Sequence, residues 1–169
     1  MQKEVMLGVT MVLAVVFFPS WQSVNVQTVG NETTAELPKV FLLGAHEGAY
    51  EQLVVDYETS LLSVCDQDMD QAFQKWFSML QEMEAYADQI SFDIKGVKLW
   101  LNVFWEPDGQ IKHIAYYLRP NSRNINTDEM TAFFSSFMNH YRFPLISKAP
   151  FAHYSSAFFP TRPQTIKRN

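Results

Sequence analysis

Apolar positions along the chain change their period several times, and each change marks an element. From Tyr50 they recur at Leu53, Val54, Tyr57 and Leu61, the spacing of one helix face. A longer stripe follows at Met69, Phe73, Trp76, Phe77, Leu80, Met83, Tyr86 and Ala87, with charges between, and predicts a second helix whose stripe is core. Asp66 stands where a side chain can cap its first free N–H groups. Gly96 ends the helical pattern, and a period of two begins. Leu99, Leu101, Val103 and Trp105 face one way, Lys98, Trp100, Asn102 and Phe104 the other. Pro107-Asp108-Gly109 then reads as a tight turn with Gly109 in the left-handed region.

Ile111 to Leu118 is accordingly the predicted return strand of a hairpin. Its apolar residues Ile111, Ile114 and Tyr116 shift from a spacing of three to two, as they do across a β-bulge. The polar loop Arg119 to Asn126 leads to a third helix, with Asn126 as N-cap and Glu129 in capping-box position. Met130, Phe133, Phe134, Phe137, Met138 and Tyr141 line one face of it, and Pro144 ends it. Phe151 to Phe158 is the predicted last strand. The expected order is α-α-β-β-α-β, an α+β domain with helices packed on one face of a small antiparallel sheet, burying the Leu99 set.

Before this domain the pattern is different. Val5 to Phe18 is almost wholly apolar after a start containing Lys3, and Pro19 with Ser20 stops it. Such a run falls in the signal-peptide range of about 7–15 apolar residues, whereas a membrane span needs about 20. The expected organisation is a signal peptide over 1–23, a linker over 24–39, a single domain over 40–160 and a tail over 161–169. The implied destination is the periplasm or the medium, the alternative being an uncleaved membrane anchor. Asn31-Glu32-Thr33 fits a glycosylation sequon, which matters only in a eukaryotic secretory route.

Composition narrows the function. A chain of 169 residues that is 47% hydrophobic and 18% charged supports one domain with a real core. Its 14 Phe, 7 Tyr and 4 Trp imply either a core of rings or an aromatic surface that meets something. A net charge of −5 without a basic stripe excludes a binder of nucleic-acid backbones. Cys65 is the one cysteine, so no intramolecular disulfide forms, and it reads as a small buried apolar residue.

Catalytic patterns are missing. Asp66, Asp68 and Asp70 are spaced like the first ligands of a calcium loop, but Gln71 stands where the turn needs glycine and Phe77 where it needs glutamate. His46, His113, His140 and His153 show no paired metal spacing, and only convergence of their two strands would bring His113 and His153 together. Glu82 and Glu84, two apart on a helix, do not face each other. No nucleophile elbow or glycine-rich phosphate loop is present, so neither cofactor nor metal is expected. An enzyme would have to assemble its site from distant residues such as Asn121, Ser122, Arg123 and His153. A third possibility is a structural subunit of an envelope complex.

The far side of the hairpin offers a binding surface instead: Trp100, Phe104, His113, Ala115 and Tyr117. It is an aromatic recognition patch if left open, and a second core layer if the first two helices cover it. The stretch from Gly96 to Phe158 also resembles the C-terminal domain of TonB-like proteins. The shared features are a glycine before an alternating strand, the Asp-Gly turn, a return strand, an amphipathic helix ending in Tyr141-Arg142-Phe143-Pro144, and a last strand. That resemblance implies a module that binds an extended protein segment by strand addition, with Tyr154 and Ser155 of the last strand at the contact. A linker as short as Gln22 to Lys39, at about 3.3–3.6 Å per residue, does not bridge two membranes. The expected function is therefore an exported, non-catalytic binding or adaptor module, with the small enzyme and the structural subunit as alternatives.

Overall fold

The computed structural model describes residues 36–161; the expected signal peptide, most of the linker and most of the tail lie outside the described residues. In order, they form β1 (Val40–Leu42), α1 (Glu47–Asp56), β2 (Thr59–Ser60), α2 (Leu61–Val64), α3 (Met69–Gln89), β3 (Lys98–Trp105), β4 (Ile111–Leu118), α4 (Thr127–His140) and β5 (Phe151–Phe158). The sheet has five strands in the order β1-β4-β3-β5-β2. β3 pairs antiparallel with β4 and β5, whereas β1 runs parallel to β4 and β2 parallel to β5. The expected small antiparallel sheet is thus only the middle of a mixed one. Strands of three and two residues are too short to show a period, which is why β1 and β2 escape a sequence reading.

Helices cover both faces of this sheet, not one. α3 and α4 bury Leu99, Leu101, Val103 and Trp105 in the main core with Trp76, Met79, Met83, Phe134 and Phe137. α1 lies against the other face, where Leu53 packs with Phe41, Phe104 and Ala115. The reason is chemical: β3 and β4 place apolar side chains on that side too, and water excluded from Phe104 needs a second cover. Rings build much of the main core. Trp105 stacks on Phe151 at 5.1 Å and meets Phe143 at 4.9 Å, and Tyr116 packs on Phe134 while its hydroxyl donates to the Thr127 carbonyl at 2.8 Å.

Boundaries follow local chemistry. Asp68, not Asp66, caps α3, accepting from Gln71 N–H at 2.9 Å, because Asp66 and Gln67 have positive φ (54° and 63°) and cannot begin a helix. The stripe expected to run from Tyr50 to Leu61 splits: α1 stops at Asp56 and Leu61 opens α2. Asn126 caps α4 as its position implies, accepting from Asp128 N–H at 2.7 Å. In the hairpin, Gly109 takes φ +82°. Phe104 pairs with His113 and Trp105 with Ile111, leaving Lys112 as the extra residue of the bulge that the isoleucine spacing announces.

Candidate functional site

The last strand is protected on one side and open on the other. Phe159 N–H donates to the Val97 carbonyl at 3.0 Å, and the register places Ala157, Ser155, His153 and Phe151 opposite Leu99, Leu101, Val103 and Trp105. Main-chain groups alternate direction along an antiparallel ladder. Odd-numbered residues of β5 therefore point their N–H and C=O at β3, and Tyr154, Ser156 and Phe158 point theirs away. On that outer side β2 pairs only with Phe151 and Ala152. Among the described residues no strand pairs with β5 beyond Ala152 on this side.

A groove of about 860 Å³ runs beside this open edge. One wall is β5 and its continuation, with His153, Ser155, Ser156, Phe158 and Phe159; the other is α3, with Met69, Phe73, Trp76 and Phe77. Met69 is 65% exposed and Phe73 36%. The α3 stripe read as core therefore divides, its inner positions Ala72, Trp76, Met79, Leu80, Met83 and Ala87 buried, its flank facing the groove. Phe73 and Phe77 stack there at 5.9 Å. His153 packs its ring on Trp76 at 4.6 Å, and burial holds its pKa below the ordinary histidine value. Lys98 is the one Asp, Glu, Lys or Arg among the residues lining the groove.

Neither alternative for the far face of the hairpin holds throughout, because α1 covers half of it. Phe104 is fully buried under Tyr50 and Tyr57, and His113 is 8% exposed beside Phe41. The His113 Nδ1–H donates to the Pro38 carbonyl at 3.0 Å, since a carbonyl can only accept. Trp100, Tyr117 and Tyr154 lie on the uncovered half, with Phe158. Trp100 stacks on Tyr154 at 5.6 Å, and the Arg119 guanidinium sits 5.3 Å over the Trp100 ring and 5.2 Å over that of Phe158. Ser155 is on the opposite face, in the groove. So the six expected binding residues separate into three exposed on one face, one buried beneath α1 (Phe104), one buried beside β1 (His113), and one in the groove (Ser155).

Residues considered for catalysis are held apart. His153 lies opposite Val103 and His113 opposite Phe104, which puts the two imidazoles on opposite faces of the sheet. Ser122 Oγ accepts from Lys98 N–H at 3.0 Å, five residues along β3 from Val103, or roughly 16 Å from His153. Arg123 pairs with the Asp93 carboxylate at 2.8 Å. Among the described residues no three of His, Cys, Asp and Glu are grouped to hold a metal, and no helix is long and apolar enough to cross a membrane. Cys65 is fully buried, and burial pushes its thiol pKa up.

Sequence reasoning missed the groove because a flanking aromatic on a helix and a core aromatic look alike. The signal available was the width of the α3 stripe: Phe73 and Phe77 lie outside the arc spanned by Ala72, Trp76, Leu80 and Met83. No protein-family model, curated protein or solved structure matches this chain.

Proposed function

We propose that the domain is an exported, non-catalytic binding module that holds a protein partner in extended form along the open side of β5. The observation that carries this reading is the row of outward main-chain groups at Tyr154, Ser156 and Phe158 beside an apolar groove walled by α3. An added strand gains its affinity from main-chain hydrogen bonds at those residues. Its selectivity comes from alternate side chains that drop toward Met69, Phe73 and Phe77. The resemblance of Gly96 to Phe158 to TonB-like C-terminal domains supports the same mode of binding, and Val5 to Phe18 supports export.

The test uses the full-length protein, immobilised sparsely, against a displayed library of peptides as long as β5, eight residues. Wild type should enrich sequences with apolar residues at alternate positions. Ser156→Pro removes an outward N–H and sets a ring where the added strand must lie, while leaving the β3 ladder intact. Its affinity for the enriched peptides should fall at least about tenfold, with the circular-dichroism spectrum unchanged. Equal binding by Ser156→Pro, or no enrichment by wild type, overturns the reading.

A further inference from the structure

The open edge has a property that a binding site for foreign strands does not require: it is complementary to itself. Its outward residues, Tyr154, Ser156 and Phe158, are centred on Ser156. Turning a second copy about an axis through Ser156 brings Ser156 against Ser156, and Tyr154 against Phe158 twice, in one antiparallel ladder. Shifting the register by two either way wastes a position. In one case Phe158 meets Ala152, whose outer side β2 already takes; in the other Tyr154 meets Pro160, which has no N–H. Beyond the ladder Thr161 is tied back to its own copy, its N–H donating to the Glu84 carboxylate of α3 at 2.8 Å.

Three further observations favour this occupant. Phe151 to Phe159, FAHYSSAFF, bears no Asp, Glu, Lys or Arg, the residues by which exposed edges resist pairing with their own kind. Tyr154 is 53% exposed and Phe158 39%, so the cross-strand aromatic pairs bury rings that the monomer leaves wet. Rotation about an axis normal to the sheet keeps both α3 helices on the same face, where Met69 and Phe73 of each copy border the junction.

From this geometry we infer that the partner taken by the open side of β5 is β5 of a second copy, giving a two-fold dimer with a continuous ten-stranded sheet, twice the five of one copy. The inference rests on the strand-addition reading above and names its partner. In a hydrogen-bonded antiparallel pair the Cα atoms are about 5.5 Å apart, within disulfide range. Full-length Ser156→Cys should therefore cross-link to a covalent dimer under oxidised glutathione, whereas Tyr117→Cys, two strands away, should not. Buried Cys65 is common to both variants. Sedimentation of the wild type should show a dimer that Ser156→Pro weakens at least about tenfold. Absent cross-linking by Ser156→Cys beside continued capture of displayed peptides would overturn the dimer and leave the binding reading standing. Absence of both would remove the two together, and cross-linking at Tyr117→Cys as strong as at Ser156→Cys would also reject the register.

Discussion

Gly109 does more than turn the hairpin. Its positive φ is what the sequence Pro-Asp-Gly announces, but a Cβ at that position would also fall on the main-chain carbonyl oxygen of Phe143. Phe143 N–H donates back to the Gly109 carbonyl at 2.9 Å, and Arg142 pairs with the Asp108 carboxylate at 2.5 Å. The turn is thereby fastened to the segment after α4, a contact that no local pattern foretells. Gly109→Val combines a left-handed β-branched residue with a backbone collision, so it should lower stability by about 3 kcal/mol or more in urea unfolding. A loss under about 1 kcal/mol would mean that the turn gives way freely. The buried histidines set a pH response. Burial lowers the pKa of both His113 and His153, with the Pro38 carbonyl opposing the shift at His113. The unfolded chain then binds more protons than the folded one as pH drops below the ordinary value of about 6.5. Their contribution is whole above that pH and is lost on acidification. Tm should fall between pH 7.5 and 5, and the slope should be smaller in His113→Gln. Asp93 and Asp108, whose pKa values are lowered from 3.8, respond only below this window.

Among the elements, β5 shows how far a sequence reaches and where it stops. Its limits, Phe151 to Phe158, are legible from alternation and flanking prolines, as are β4, the bulge and the cap of α4. Which of its main-chain groups are free is not legible, because direction depends on the register with β3. Ser155 has the central place by sequence, yet its N–H and C=O face Leu101, and the free groups belong to its neighbours. Ser155→Pro should accordingly break an interior ladder bond and destabilise the fold by about 3 kcal/mol, whereas Ser156→Pro should cost markedly less. Parallel thermal melts separate the two; equal losses would place the open side elsewhere. The same limit applies to α3. Periodicity locates the helix, but only the extent of the sheet beneath it decides which aromatics are core and which overhang the edge.

At the scale of the whole molecule, the two faces of the sheet are held with unequal strength. The main core joins α3, α4, three long strands and rings such as Trp105, Tyr116 and Phe134, all fully buried. The second core is thin: α1 inserts Leu53 alone as a buried residue and leaves Val54 and Val55 43% and 65% exposed. Its other attachments are side-chain contacts: rings of Tyr50 and Tyr57 on Phe104, rings of Tyr50 and His46 on Phe41, the Asn102 amide donating to the Tyr50 hydroxyl at 3.0 Å, and the Tyr57 hydroxyl donating to the Glu106 carboxylate at 2.9 Å. Regions with few buried apolar contacts open at lower free energy than the global transition. α1 should therefore unlatch from the sheet before the rest unfolds, exposing Phe104 and extending the aromatic surface of Trp100, Tyr117 and Tyr154. Hydrogen exchange tests this directly: amides of α1 should exchange faster than those of β3 and α3 under native conditions. Leu53→Ala removes the central anchor, and a buried leucine truncated to alanine costs about 2–5 kcal/mol where the site cannot collapse. Here that loss should appear mainly as faster exchange in α1, with β3 protected almost as in wild type. If β3 lost protection in proportion, the two faces would form one cooperative unit, and α1 would be part of the core and not a cover over it.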